Sequence, residues 1–139
     1  MLLNINPLLT GELLRRLDEM GHSDYLVIAD ANFPAHRLDV HALEFPGIDA
    51  VTMTAAICEV FPLDAANPPA LMDSGEGDLR PVQAELLAAA GSSTSTVVDR
   101  WAYYELARDA SVIISTGELR LWANVVLYKG IPHHLGDTR

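Results

Sequence analysis

With one cysteine in 139 residues the chain cannot form an internal disulfide, and Cys58 sits in the apolar-rich stretch TAAICEVF, where a buried thiol is expected. Positive charge is also scarce. Nine Lys and Arg stand against nineteen Asp and Glu, a formal net charge of −10. Such a surface repels phosphate backbones and anionic membranes, so nucleic acid is not an expected partner. No run approaches the roughly 18–20 apolar residues of a membrane span. The apolar opening MLLNINPLLTGELL lacks the charged start and small-residue cleavage pattern of a secretory signal. These absences predict a soluble protein of the reducing cytoplasm. Two chemical signatures are missing as well: no G-x-S-x-G nucleophile elbow occurs, and GEGD at 75–78 lacks the lysine and the helix-opening context of a phosphate loop.

What is present suffices for a core. Half of the residues are hydrophobic, and the length fits one compact domain over residues 1–139. Thr10 can cap a helix carrying Leu13, Leu14, Leu17 and Met20 on one face, with Gly21 as its left-handed stop. Leu26, Val27, Ile28 and Ala29 then read as a strand buried on both faces. Asp30 leaves its C-terminal end, where α/β sheets place ligands. Pro34 holds the next loop extended, and residues 42–45 form a short strand closed by Pro46-Gly47. Residues 52–60 read as a helix capped by Thr52, with Met53, Ala56, Ile57 and Val60 inward, ending before Pro62. PALMD (69–73) is a strand, and Pro81 opens a helix that runs through Leu86 and Leu87 to Gly91. TVVD (96–99) and SVIIST (111–116) are strands separated by the helical WAYYELARDA, and NVVLY (124–128) is the last strand. The alternation predicts an α/β fold, a three-layer α/β/α domain with a mainly parallel (mixed) sheet of about six strands. The tail HHLGDTR, with His133 and His134, is expected to be frayed and solvent-exposed.

The segment MGHSDYLVIADANFPAH, residues 20–36, packs His22, Asp24, Asp30 and His36 around one apolar run. His22 and Asp30 flank a single strand and are expected near a common pocket. A histidine with carboxylates is an acid–base set that needs no cofactor. Each residue also has a plainer reading. A loop histidine commonly sits at the surface or caps backbone groups. Asp24 suits a turn. Trp101, Tyr103 and Tyr104 suit helix packing, and Trp122 the core. His22, Asp24 and His36 lack strict ligand spacing, so no metal is expected.

This segment resembles the signature of the sugar mutarotase family that contains L-fucose mutarotase and D-ribose pyranase, M-G-H-[GT]-D followed by an apolar strand, Asp and a Pro loop. INPLLTGELLRRLDEMGH, FPLD at 61–64, RWAYYELARDA at 100–110 and TGELRLWANVVLYKG at 116–130 resemble the family in order, over most of the chain. N-F-P-A-H and R-x-x-x-Y-E, here Arg100, Tyr104 and Glu105, favour the fucose-type branch, since ribose pyranases have a histidine near the Arg100 position.

The resemblance implies cofactor-independent interconversion of the α and β anomers of L-fucose or a related pyranose. In it, His22 is the proton donor and Tyr104 a second acid–base or binding group. Asp30 and Arg100 bind sugar hydroxyls, Asn124 completes the pocket, and Asp64 joins the set as a weaker carry-over. It further implies a ring-shaped homo-oligomer, commonly a decamer, with sites near subunit contacts. The family's usual Tyr-Gly-Asn or Tyr-Ala-Asn is here Trp122-Ala123-Asn124. The indole keeps only an N–H donor and offers a larger apolar face on which a sugar ring can stack, so Trp122 joins the expected binding residues. Alternatives are a D-ribose pyranase-type pyranose/furanose or other aldose isomerisation, and a non-catalytic sugar-binding or transport-accessory protein. A metal-dependent hydrolase or isomerase would require a bound metal.

Overall fold

In the computed structural model the described residues are 1–132, so His133, His134 and the rest of the tail lie outside them. The chain runs α1 (Gly11–Glu19), β1 (Tyr25–Ala29), α2 (Ala35–Leu38), β2 (Leu43–Phe45), α3 (Ala50–Cys58), β3 (Ala70–Met72), α4 (Pro81–Ala90), β4 (Thr96–Val98), α5 (Arg100–Arg108), β5 (Val112–Thr116) and β6 (Val125–Tyr128).

The six strands form one mixed sheet in the order β2-β5-β1-β6-β3-β4. β1 pairs in parallel with β5, β5 with β2, and β3 with β4. β6 runs antiparallel to both of its neighbours, β1 and β3, so five strands share one direction and the last strand opposes them from the interior. Successive side chains of a strand point to opposite faces. In β1 this sends Leu26 and Ile28 into one core and Val27 and Ala29 into the other, all four without exposure. α1, α3 and α4 cover the first face through Leu13, Leu17, Met53, Ile57 and Leu86, while α2 and α5 cover the second through Ala35, Leu38, Tyr103 and Ala107. The expected three-layer α/β/α arrangement follows from this double burial.

Several local expectations are corrected. Gly21 is not a left-handed stop. α1 ends through extended Met20 (φ −72°, ψ 137°), and the left-handed residue is Ser23 (φ 73°). The Gly21 N–H instead donates to the Asp24 carboxylate at 2.7 Å, which turns the chain without a glycine conformation. α3 starts two residues earlier than expected because Asp49, not Thr52, is its cap and accepts from the Thr52 N–H. Val60 falls beyond that helix and is exposed. Pro34 leads directly into the four-residue α2 rather than an extended loop, since a residue without an N–H costs nothing at a helix start. Cys58 is only partly buried, and that burial pushes its thiol up to about 11.

Candidate active site

Five parallel strands ending on one side, with the start of β6 beside them, create a rim at the carboxyl end of the sheet. One cavity of about 160 Å³ opens there, lined by Asp30, Asn32, Phe33, Met72, Arg100, Tyr104, Leu121, Trp122 and Asn124. Each wall has a local cause. Asp30 follows β1 directly and is 4% exposed. Its N–H donates to Asn124 Oδ1 at 2.8 Å, and Asn124 Nδ2 donates back to Asp30 Oδ2 at 3.1 Å. The Asn32 N–H donates to Oδ1 at 2.9 Å. Burial raises the Asp30 carboxyl above its ordinary value, although these donors oppose the shift. Asn124 can make this reciprocal pair because it is the residue just before β6, antiparallel to β1.

Arg100 is the first residue of α5, whose cap Asp99 accepts from the Trp101 and Ala102 N–H groups. One helical turn separates Arg100 from Tyr104, and its Nε donates to the Tyr104 hydroxyl oxygen at 3.0 Å. The guanidinium lies 5.1 Å from the Trp101 ring centroid and 5.6 Å from that of Tyr104. Phe33 meets Tyr104 edge-on at 5.5 Å. Trp122 also lines the cavity, half-buried, with a left-handed backbone (φ 66°). The cavity therefore joins a hydrogen-bonding edge of carboxylate, amide, guanidinium and phenol to an aromatic and aliphatic wall. That combination suits a small polyhydroxylated ring with one apolar face.

His22 lies elsewhere. It precedes β1, whereas Asp30 follows it, and five strand residues span about 16 Å. The expected common pocket of His22 and Asp30 is therefore not formed within one chain: the length of β1 separates them, and His22 does not line the cavity. His22 is half-exposed and faces Asp64, with Nε2 3.6 Å from Asp64 Oδ2. Hydrogen bonds from Asn67 Nδ2 and the Ala66 N–H hold the Asp64 carboxyl below its ordinary value. Both residues hang on the far end of β6: the Ser23 N–H donates to the Lys129 carbonyl, and the Asp64 N–H to that of Tyr128. His36 pairs with Glu44 away from the cavity. Among the described residues, no group of three or more His, Cys, Asp or Glu side chains is placed to hold a metal ion.

Of the residues singled out from the sequence, the cavity brings together Asp30, Arg100, Tyr104, Trp122 and Asn124 and leaves out His22 and Asp64. Trp101, expected in helix packing, is 68% exposed, whereas Tyr103 is fully buried. Asn32, Phe33, Met72 and Leu121 were not anticipated as lining. The position of Met72 at the end of a parallel strand was the available signal.

The sheet and its rim define an α/β protein with a small-molecule pocket at the strand ends. Residues 3–132 match the family described as the RbsD / FucU transport protein family, and the chain belongs to it. It is 37% identical over 146 residues to the L-fucose mutarotase of Glaesserella parasuis serovar 5 (strain SH0165), an alignment covering 99% of this chain and 100% of that one. The crystal structure of the fucose mutarotase from Streptococcus pneumoniae in complex with L-fucose superposes with a TM-score of 0.85 at 30% identity, covering 94% of this chain and 99% of the other. FucU from Bifidobacterium longum gives 0.84 at 35% identity, over 92% and 98%.

Proposed function

We propose that this protein is a sugar mutarotase that interconverts the α and β anomers of L-fucose or a closely related pyranose. The observation that carries the reading is the cavity itself: Asp30, Arg100, Tyr104, Trp122 and Asn124 converge in a chain 37% identical to an L-fucose mutarotase along 99% of its length. Such a reaction needs no redox change. A base takes the proton of the anomeric hydroxyl while an acid protonates the ring oxygen, and the ring C–O bond breaks to give the open aldehyde. Rotation about the adjacent C–C bond and closure on the other carbonyl face, with the protons returned, yield the other anomer. Asp30 accepts from sugar hydroxyls and Arg100 donates to them. Asn124 holds Asp30 in place, and Trp122 provides a stacking face. Tyr104, whose hydroxyl is oriented by Arg100, supplies a second acid–base or binding group.

His22 is the proton donor in this reading, with Asp64 orienting its ring, and it enters the site from a second copy of the chain. Two features support that arrangement. His22 sits at the opposite end of β1 from Asp30, and the cavity of about 160 Å³ is smaller than the roughly 300–1,000 Å³ of complete ligand pockets. A closed ring of copies, a decamer by family resemblance, would supply the missing wall to every site equally. Residues 1–139 act as one domain in this reading. The lone Cys58, unable to pair within the chain, supports the cytoplasm as its compartment.

The test is exchange NMR on L-fucose at equilibrium, which reads anomer interconversion without a coupling enzyme. Faster exchange than in buffer is expected, and His22→Ala should abolish it with the fold intact. Rates equal to buffer across a panel of aldoses would overturn the assignment.

A further inference from the structure

The loop between β5 and β6, residues 117–124, carries three lining residues of the cavity, Leu121, Trp122 and Asn124. Its two ends are fastened to the end of β1. The Ala31 N–H donates to the Glu118 carbonyl at 2.8 Å, and Asn124 exchanges hydrogen bonds with Asp30. Between these anchors Leu119 is 80% and Leu121 56% exposed and give little hold, whereas Ala123 is sealed in one core and Trp122 is half-buried against the other. Yet Trp122 is kept at φ 66°, a conformation that a bulky residue retains only when its surroundings over-determine it.

The same stretch carries an ion pair built on a buried carboxylate. Glu118 is buried at 4% exposure. Its carboxylate receives Arg120 Nε at 3.0 Å and Nη2 at 3.1 Å, a two-pronged pair, and the Arg120 N–H donates to the same carboxylate at 3.0 Å. Arg120 Nη1 then donates to Glu85 Oε2 on α4 at 2.6 Å. The planar guanidinium thus bridges the loop to the helix layer in a fixed orientation. Arg120 does not itself line the cavity.

We propose that Arg120 is a positioning residue for the sugar site: its clamp on Glu118 and Glu85 holds the β5–β6 loop so that strained Trp122 faces the bound ring. This rests on the mutarotase reading for its consequence in turnover, but not for its consequence in loop order. Two variants test it. Arg120→Ala removes the whole clamp, and Glu85→Ala loosens only its outer half while keeping the buried pair, so a folded protein is available even if the first variant fails to fold. Amide hydrogen exchange on the sugar-free protein should accelerate over residues 119–123 in both variants, with the strands unchanged. In anomer exchange, KM for L-fucose should rise about tenfold in Arg120→Ala and about two- to fivefold in Glu85→Ala, with kcat little changed.

Unchanged loop exchange in Glu85→Ala, or acceleration spread evenly over the sheet, would overturn the proposal. So would a mobile loop with unaltered KM. An inactive unaltered protein would instead sink the mutarotase reading, and the exchange measurement would still decide the role of the clamp.

Discussion

Asp30 answers to two opposing demands. A sugar needs its carboxylate as an acceptor, whereas burial favours the neutral acid. Its raised folded pKa means that the folded state binds the proton more tightly than the unfolded state. The stability contributed is therefore present at low pH and is lost as pH rises through the folded pKa. Asp30→Asn should accordingly flatten this part of the pH dependence of stability while abolishing catalysis. In the unaltered enzyme the acid limb of kcat/KM should lie above the ordinary aspartate range, read from a pH profile of anomer exchange. Trp122 presents a different question at the same scale. It is half-buried on a cavity wall rather than sealed in the core. Trp122→Ala should thus weaken L-fucose binding and destabilise the fold by less than the roughly 3–5 kcal/mol of a fully buried aromatic. Trp122→Tyr should keep most of the affinity. Sugar titration and thermal unfolding of both variants separate a wall from a core residue.

At the scale of elements, the start of the β5–β6 connection passes close against the turn that follows β2. A Cβ on Gly117 would lie 2.0 Å from the Pro46 carbonyl oxygen, a backbone atom that cannot swing aside, whereas one on Gly47 meets nothing within 4 Å. Gly117→Ala should lower the denaturant midpoint by the equivalent of about 1–3 kcal/mol, and Gly47→Ala should leave it unchanged.

The same connection shows where sequence patterns stop being informative. Short apolar or β-branched runs bounded by polar residues made β1, β5 and β6 legible, and Pro81 with Gly91 bounded α4 to the residue. The direction of β6 was not legible, because a four-residue apolar strand reads the same either way, and only the short return from β5 reverses it. α2 was missed because four residues give no periodicity. Within the site, Asp30 followed from its place at a strand end, but Arg100, Tyr104 and Asn124 emerged from motif resemblance rather than spacing. Asn32, Phe33, Met72 and Leu121 are neighbours only after folding, and so is the bridge from Arg120 to Glu85, 35 positions apart.

For the whole molecule, a site shared between copies predicts complementation. His22→Ala and Asp30→Asn proteins, each inactive alone, should regain anomer exchange when unfolded together and refolded as a mixture, because some contacts then join an intact His22 to an intact Asp30. Light scattering should show a closed assembly many times the 15.1 kDa chain. Failure of the mixture to recover activity, or a monomeric mass, would place His22 outside the chemistry.

The placement of β6 also governs how the chain reaches this state. It is the last of the six strands to leave the ribosome, yet it lies between β1 and β3. Until it arrives, β2-β5-β1 and β3-β4 share no strand pairing, and each half-sheet presents an open, apolar edge, the kind of surface that recruits other chains. Closure must wait until β6 has been synthesised and depends on contacts distant in sequence, which slows it. The event that seals those edges also delivers Asn124 to Asp30, so the half of the pocket that one chain supplies takes shape only when the two half-sheets join.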